Sequence, residues 1–296
     1  MADVMKTPEA LLTIKEHLRK VEVHLNQLNR DDMIHPEKEK HPSEIVFAIS
    51  LKSKTVSKDW DNVQASLAKT LRSILRSTDQ HFRIIIAGHE MPKIRELRNK
   101  RVTWLPVDFP PPKAPKDFSK DKMRKRKEIG VYLRKARFTG YFMPLDADDW
   151  IHHRFVEYIR SQPYSEAFII KKGCMVNLVR KEVWLRKHRF YIGCGSSAVF
   201  HFKHHDFPRT TERDDVRRKL FRLALKPHSN IDEHLEEADR RYVMVELPLV
   251  TWVLGHGDNT SVLQGKKDDG VSAKHYGTSG EKLTGRFYRY FKVNKL

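Results

Sequence analysis

The hydrophobic pattern of the middle of the chain alternates between short apolar runs and helical spacings. The runs at 44–50 and 82–87 predict buried strands, and apolar positions every three or four residues predict a helix over 60–76 between them. A basic segment with a helical pattern, 121–137, leads into a further strand at 138–145. Strand and helix in alternation predict an α/β fold of Rossmann type with a mainly parallel central sheet.

The remaining segments give a less regular pattern. The predicted elements are a short strand at 101–107, helices at 152–162 and 231–241, a charged segment at 203–222 that is helical in its second half, and strands within 167–179, 190–202 and 242–254. Glycine-rich residues 193–197 are the predicted turn between two of these strands. We expect three parts: an N-terminal helix and linker (1–43), a catalytic domain (44–264) and a basic C-terminal tail (265–296).

Both ends of the chain carry apolar side chains with two possible uses. The helix predicted over 7–29 has the 3-4-3-4-3 spacing of a short coiled coil, at Leu11, Ile14, Leu18, Val21, Leu25 and Leu28. It either packs on the body of the chain or forms a homo-oligomer through residues 11–28. The tail alternates aromatic and basic residues over 286–292. It either attaches to an anionic membrane surface or packs on the body.

The charge balance favours anionic partners. The chain has 57 Lys and Arg against 38 Asp and Glu, and the formal charge of +19 suits nucleotides, nucleic acid or anionic lipid. The sequence has no apolar run of the roughly 20 residues that a membrane span needs, and its N-terminus lacks the features of a secretory signal. The two cysteines, Cys174 and Cys194, show no metal-binding spacing. We therefore expect a cytoplasmic protein, with peripheral association at the inner face of the membrane.

Three carboxylates in four positions follow the strand predicted at 138–145. In an extended chain Asp146 and Asp148 point to the same side, where their repulsion requires a cation. Oxygen ligands favour Mg²⁺ or Mn²⁺, which usually reach proteins with phosphate groups attached. Asp149 leaves the ligand assignment uncertain by one residue. In the alternative interpretation, Asp148 or Asp149 caps a helix that begins near His152.

Ser50 and His89 also follow predicted strands. In a parallel α/β sheet, ligands bind beyond the carboxyl ends of the strands. Ser50, His89, Asp146 and Asp148 are therefore expected at one edge of the sheet.

Over residues 44–260 the sequence resembles the nucleotide-sugar glycosyltransferases of the GT-A fold. The resemblance rests on the helix segment Leu67–Thr78 that follows the opening strand, the strand Arg83–Ala87, the basic helix that leads into the Asp146-Ala147-Asp148 motif, and the late segment Gly255–Ser261. It implies that the Asp-x-Asp motif binds a divalent metal, Mn²⁺ or Mg²⁺, held on the diphosphate of the donor, which we expect to be UDP-linked. It also implies that His256 completes the coordination, where the alternative is an ordinary loop histidine.

The resemblance also implies roles for the residues around the motif. Ser50 and Lys52 are expected at the nucleobase and ribose, and Asp146 at the ribose or the metal. Lys122 and Lys125 share a helix face and are expected at the nucleobase and phosphates, although a basic helix is more often a solvated face. Gly195 would let the backbone approach the donor, or belong to a plain hairpin turn.

The general base is the least determined residue. An inverting transfer needs a carboxylate to take a proton from the acceptor hydroxyl, and Asp232 and Glu233 are the candidates. The same residues fit a capping box with Ser229 or Asn230, and a retaining enzyme needs no such base.

The leading hypothesis is a metal-dependent glycosyltransferase that moves a sugar to a glycan or lipid-linked acceptor, as in polysaccharide biosynthesis. The alternatives are a basic nucleic-acid-binding protein and a noncatalytic adaptor built on the N-terminal helix. The sequence has no recognised nucleic-acid-binding motif, which makes nucleic acid an unlikely partner.

Overall fold

The computed structural model describes residues 13–34, 43–258 and 270–294. Its helices are α1 (Ile14–Ile34), α2 (Trp60–Leu75), α3 (Phe118–Lys135), α4 (Phe155–Ser161), α5 (Phe190–Gly193), α6 (Arg213–Arg217), α7 (Ile231–Glu237) and α8 (Gly285–Tyr290). Its strands are β1 (Ile45–Ser50), β2 (Phe82–Gly88), β3 (Val102–Pro106), β4 (Gly140–Leu145), β5 (Trp150–Ile151), β6 (Ala167–Ile170), β7 (Gly173–Asn177), β8 (Glu182–Arg186), β9 (Ala198–Phe202), β10 (Tyr242–Val245), β11 (Val250–Leu254) and β12 (Glu281–Lys282).

The predicted α/β architecture with a mainly parallel central sheet is confirmed. Seven strands form the large sheet in the order β10-β6-β9-β4-β1-β2-β3. Strand β1 runs parallel to both β2 and β4, and β2 runs parallel to β3. The carboxyl ends of β1, β2 and β4 therefore meet at one edge, where Ser50 ends β1 and where His89 and Asp146 follow β2 and β4.

The two faces of the large sheet are covered by different helices. Ile45, Phe47 and Ile49 of β1 lie in a core cluster with apolar residues of α2. Val46 and Ala48, on the opposite face, lie in a second cluster with residues of α3 and α7. Near-continuous apolar strands are typical of a parallel sheet that is buried on both faces.

A second, smaller sheet carries the loops on the far side of the site. Its strand order is β12-β8-β7-β11-β5. Strand β11 pairs in parallel with β7 and antiparallel with β5, in the register Val250↔Ile151 and Thr251↔Trp150. This pairing brings the segment after β4 next to the segment after β11.

The strand predicted over 190–202 is wrong in its first part. Residues Phe190–Gly193 form the short helix α5, and only Ala198–Phe202 form a strand, β9, which is antiparallel to both β4 and β6. Residues 193–197 therefore join a helix to a strand and do not close a hairpin. A short apolar run such as that at 190–192 fits a buried helix as well as a strand.

The N-terminal helix packs on the body of the same chain. Ile14 and Leu18 lie in a third cluster with residues of the small sheet, and Val21 and Leu25 contact the main core. Leu11 and the side chain of Leu28 lie outside what the structure describes. The described seam positions are thus buried within one chain, and self-association through residues 11–28 stays a prediction.

The C-terminal segment also packs on the body. Phe287 and Phe291 are buried in the third cluster, whereas Arg286, Arg289 and Lys292 are exposed. This face therefore presents its basic side chains rather than its aromatic rings. Among the described residues, no helix has the length and apolar character needed to cross a bilayer.

A partly buried ion pair anchors α1 to the body. Glu22 lies 3.2 Å from His152 Nε2 and 3.4 Å from Arg154 Nη1. Glu22, His152 and His153 also form the one group of three potential metal ligands within 4.8 Å in the part of the chain that the structure describes. The backbone N–H of Arg154 donates to His152 Nδ1 (3.2 Å), which leaves the proton of a neutral ring on Nε2, facing Glu22. The arrangement therefore suits an ion pair of Glu22 with Arg154, beside a neutral His152, better than a metal.

We expect stability to fall as the pH is lowered below about 6.5, the ordinary histidine pKa. Burial lowers the pKa of His153 to about 4, and the hydrogen bond from His152 lowers the pKa of Glu22 to about 2. The unfolded chain therefore binds more protons than the folded one, first at the histidine and below pH 4.5 at Glu22. Both effects favour unfolding in acid. The measurement is the urea midpoint at pH 7.5 and at pH 5.

The matched variants are His153→Asn and His24→Asn. His153→Asn should reduce the decrease in urea midpoint between pH 7.5 and pH 5. His24 is exposed on α1, the helix that carries Glu22, so His24→Asn should leave that decrease unchanged. A midpoint that changes equally with pH in the wild type and in His153→Asn would contradict the role of this cluster.

Candidate functional site

A cavity of about 310 Å³ opens at the carboxyl edge of the large sheet. It lies between the ends of β1 and β4, the start of α3 and the segments that follow β11. It brings together seven of the residues predicted from the sequence: Ser50, Lys52, Lys122, Asp146, Asp148, Gly195 and His256. These residues come from five separate segments, so the fold itself assembles the group.

Asp148 and His256 face each other across the cavity. His256 Nε2 lies 2.5 Å from Asp148 Oδ2. Asp148 lies two residues before the two-residue strand β5, and His256 lies two residues after its antiparallel neighbour β11, so the pairing of these strands sets the contact. The amide group of Asn62, on α2, donates to the backbone carbonyl of His256 and fixes the loop. The carboxylate and the imidazole together present one oxygen and one nitrogen ligand to the cavity.

Asp146 is bound to cations of α3. Its Oδ1 accepts a hydrogen bond from Lys122 Nζ, and its backbone N–H donates to Ser196 Oγ at 2.9 Å. Burial raises the pKa of Asp146, but the charges of Lys122 and Arg126 outweigh this effect and hold the pKa below its usual value. Asp146 is therefore a carboxylate at neutral pH. Asp146 is thus paired with Lys122, whereas Asp148 is the carboxylate that contacts His256.

Gly195 is needed for this geometry. A Cβ atom at this position would lie 2.9 Å from Asp146 Oδ2, closer than real Cβ contacts, and 3.6 Å from Lys122 Nζ. The backbone thus approaches the carboxylate more closely than any other residue would permit. The glycine-rich segment places the backbone of 195 at the wall of the cavity.

Asp149 faces the interior rather than the cavity. Its Oδ2 accepts from Ser196 Oγ at 2.5 Å, and its Oδ1 accepts from the backbone N–H of Val253 at 3.0 Å. Burial, with the nearby charges of Asp148 and Asp146, raises its pKa well above the usual value. Asp149 therefore links the segment after β4, the segment before β9 and β11. Because α4 begins only at Phe155, neither Asp148 nor Asp149 caps it.

Lys52 is held by an acidic residue that the sequence interpretation overlooked. Asp258, almost fully buried, lies 3.1 Å from Lys52 Nζ through its Oδ1. The same carboxylate accepts the backbone N–H groups of Lys58 and Asp59. It therefore ties the segment after β1 to the segment after β11. An aspartate two residues after His256, among glycines, was the available signal.

The expected pairing of Lys122 with Lys125 needs a correction. Lys125 is fully buried, and its Nζ donates to Asp121 Oδ2 at 2.6 Å and to the carbonyl of Leu51 at 2.7 Å. Lys122 lies one residue after Asp121 and reaches the cavity instead. The i,i+3 spacing places both lysines on one side of α3, but the sheet covers the C-terminal part of that side.

Asp232 and Glu233 do not line the cavity. Asp232 Oδ2 accepts from the hydroxyl of Tyr191 at 2.6 Å, and Glu233 accepts from the side-chain amide of Asn230 at 2.9 Å. Asn230 therefore does not form the side-chain cap to the backbone that the capping box requires. The role of either carboxylate as a general base stays a prediction.

His228 lines the cavity and was not singled out from the sequence. Burial lowers its pKa, and the charge of Asp146 partly opposes this. It precedes α7 in a polar segment, where no local pattern distinguished it from the other histidines. His89, by contrast, lies at the predicted edge, and its Nε2 lies 2.9 Å from the carbonyl of Phe109.

Comparisons with known proteins give only distant structural similarity. A scan against protein-family models gave no match, and a search of curated protein sequences also gave none. Among solved structures, the chain is similar to the apo structure of the WbbM bifunctional glycosyltransferase, with a TM-score of 0.38 and 12% sequence identity over 71% of this chain. It covers 45% of that protein.

A second similar structure is mouse xyloside xylosyltransferase 1 in its apo form. The TM-score is 0.29 and the sequence identity is 10%, over 75% of this chain and 81% of that one. At these values the similarity assigns neither activity nor substrate to the present chain.

Proposed function

We propose that the chain is a metal-dependent glycosyltransferase that transfers a sugar from a nucleoside-diphosphate sugar, with a UDP-linked donor, to a glycan or lipid-linked acceptor. The observation that carries the proposal is the contact between Asp148 and His256. It lies at the carboxyl edge of the large sheet, in the cavity that Lys52 and Lys122 also line. Paired acidic and basic groups of this kind suit a metal–diphosphate substrate.

The donor set fits a divalent cation. Asp148 and His256 supply one oxygen and one nitrogen within 2.5 Å of each other, and both line the cavity. Mn²⁺ accepts both ligand types, and its remaining positions suit water and phosphate oxygens. When bound, the cation would stabilise the charge of the nucleoside diphosphate as it leaves. Asp146 is the less suitable direct ligand, because Lys122 already pairs with its carboxylate.

Lys122 holds the donor phosphates in this proposal. It is about one-third exposed and points into the cavity beside Asp146. Lys52, fixed by Asp258, adds a second positive charge to the lining of the cavity. Preorganised charges of this kind stabilise a leaving diphosphate more than the bound substrate, which is the condition for faster transfer.

The hydroxyl of Ser50 sets the position of α3. Its Oγ donates to the carbonyl of Lys122 at 3.0 Å. The end of β1 is thereby connected to the helix that supplies the phosphate-binding lysine. Ser50 and Lys52 remain the proposed contacts of the nucleobase and ribose.

The test is a thermal-shift panel of nucleotides and nucleotide sugars, each with and without Mn²⁺. We expect UDP or a UDP-sugar to raise the Tm only when Mn²⁺ is present, because binding to the folded state stabilises it by mass action. Nucleoside monophosphates, which lack the diphosphate, serve as the control. A panel in which no nucleoside diphosphate raises the Tm with either Mn²⁺ or Mg²⁺ would overturn the proposal.

Gly195→Ala should weaken donor binding while leaving the fold intact. The added methyl group must displace the Asp146 carboxylate and with it the Lys122 ammonium. A shift of about 1 Å in a positioned group costs up to roughly a hundredfold in activity, so we expect a ten- to hundredfold loss of kcat/KM. Gly270→Ala is the control, because a Cβ there meets nothing within 4 Å. Equal activity of the two variants would contradict the role of Gly195.

A further inference from the structure

A second cavity, of about 740 Å³, lies between α1 and the C-terminal segment, away from the site described above. Its walls are the first three turns of α1, the end of β8 nearest β12, and the residues from β12 through α8. We call it the α1–α8 groove. None of its lining residues lines the cavity at the carboxyl edge of the large sheet.

The groove has an apolar floor. Ile14 and Leu18 of α1, Val183 of β8 and Phe287 of α8 line it, and all four belong to the third hydrophobic cluster. Each retains some exposure: Ile14 and Leu18 are 7% exposed and Phe287 is 5% exposed. The floor is therefore continuous with the core while remaining accessible from the groove.

The rim of the groove is cationic. Lys15, Arg19, Lys282, Arg286 and Arg289 line it, and all five are exposed. Among the described residues, none of the five forms a salt bridge. Two of them, Lys15 and Arg19, lie one helical turn apart on α1, and Arg286 and Arg289 have the equivalent spacing on α8.

The two carboxylates of the groove already have partners. Glu22 pairs with His152 and Arg154, and Glu281 Oε1 accepts the backbone N–H of Ile14 at 2.5 Å. Glu22 is thus shared with Arg154, whereas Glu281 keeps its negative charge beside the rim. The described lining residues carry five positive charges against two negative ones, so the groove is net positive.

We infer that the α1–α8 groove binds anionic phospholipid at a membrane surface. The cationic rim is complementary to the headgroup phosphates, and basic side chains near such a surface are attracted to it. The apolar floor accepts the start of an acyl chain, as in other amphipathic sites. A single-stranded nucleic acid would use exposed aromatic rings for stacking, whereas Phe287 is buried in the cluster and packs against Trp150.

The groove gives the C-terminal segment a different route to a membrane from the one expected from the sequence. The aromatic rings of α8 serve the core, and only its basic side chains face outward, together with those of α1. The lipid-binding element is thus a groove shared by both ends of the chain. It does not depend on the proposed transferase activity, since its residues and its test involve no nucleotide.

The test is co-sedimentation of the full chain with phosphatidylcholine vesicles, with and without phosphatidylglycerol. We expect binding only to the anionic vesicles, and a decrease as salt is raised. Arg19→Glu/Arg286→Glu should weaken binding by at least about tenfold, because two side chains that attract the anionic surface are replaced by two that it repels. The control, Arg217→Glu/Arg218→Glu, reverses two exposed arginines outside the groove and should retain much more of the binding. Unchanged Tm values show that both variants fold.

A monomeric probe separates the groove from a general charge effect. Dodecyl phosphate, kept below its micelle concentration, should raise the Tm of the wild type but not of the rim variant, and inorganic phosphate should raise neither. Equal loss of vesicle binding in both double variants would overturn the inference. Two other results would also overturn it. One is a Tm raised by inorganic phosphate but not by dodecyl phosphate. The other is displacement of the vesicles by a single-stranded oligonucleotide whose own affinity falls in the rim variant.

Discussion

Asp148→Ala is expected to abolish the Mn²⁺ dependence of donor binding and to reduce transfer by about a thousandfold or more. The substitution removes the oxygen ligand that faces His256, and a metal contributes several kcal/mol of charge stabilisation in reactions of this type. Stability should change little, by about 1 kcal/mol or less, because the pair is partly exposed on the Asp148 side. The measurements are kcat/KM with a UDP-sugar and the thermal shift with UDP and Mn²⁺.

Two further variants make this result specific. Asp61→Ala removes an exposed carboxylate of α2 and should leave Mn²⁺ dependence unchanged. His256→Ala should act in the same direction as Asp148→Ala, and the double variant should lose little more than the stronger single one, since both residues serve one ion. Full Mn²⁺ stimulation in Asp148→Ala would rule out this carboxylate as the ligand.

Asp149→Ala is expected to lower the free energy of unfolding by about 2–4 kcal/mol. The alanine leaves the backbone N–H of Val253 and the hydroxyl of Ser196 without their acceptor in the interior, and each unpaired buried group costs about 1–3 kcal/mol. Urea denaturation at neutral pH measures the loss as a lower midpoint. Asp148→Ala, one residue earlier, is the matched control.

The conservative variant Asp149→Asn distinguishes lost hydrogen bonds from lost charge. Its amide oxygen can still accept one of the two bonds, so about half of the destabilisation should be recovered. In both Asp149 variants, donor binding should weaken only as far as the loss of stability reduces the folded fraction, because the side chain faces away from the cavity. An Asp149→Ala variant as stable as the wild type would contradict the role of this carboxylate as an interior link.

The first half of the fold was predictable because its patterns are local. The strands and helices from β1 to β4 follow hydrophobic periodicity, and their observed bounds differ from the predicted ones by only a few residues. Parallel strands with alternating helices then require one common carboxyl edge. This explains why Ser50, Lys122 and Asp146 could be placed together before the structure was known.

The second half was harder because its elements are short and their partners are distant in sequence. Strand β8 was not predicted, and the apolar run at 190–192 was assigned to a strand although it is helical. Long-range contacts decide such segments, and the sequence pattern does not record them.

The orientation of individual site residues was the least predictable feature. Nothing local distinguishes Asp148, which faces the cavity, from Asp149, whose bonds to Ser196 and Val253 turn it inward. Lys125 has the spacing of a ligand-binding residue, but Asp121 and the carbonyl of Leu51 hold it inside. Asp121, one turn earlier on α3, is a partner that helical spacing includes, whereas Ser196, Val253 and the carbonyl of Leu51 come from distant segments, which spacing arguments do not include.

The antiparallel pairing of β5 with β11 also sets the order in which the site can assemble during synthesis. The parallel strands β1 to β4 lie within the first half of the chain, and they position Ser50, Lys122 and Asp146. Strand β11 emerges from the ribosome about a hundred residues after β5. The edge that carries Ser50, Lys122 and Asp146 can therefore form early in synthesis, through contacts of short sequence separation. The Asp148–His256 pair must wait for β11, so a chain that stalls before β11 has this edge but lacks the imidazole opposite Asp148.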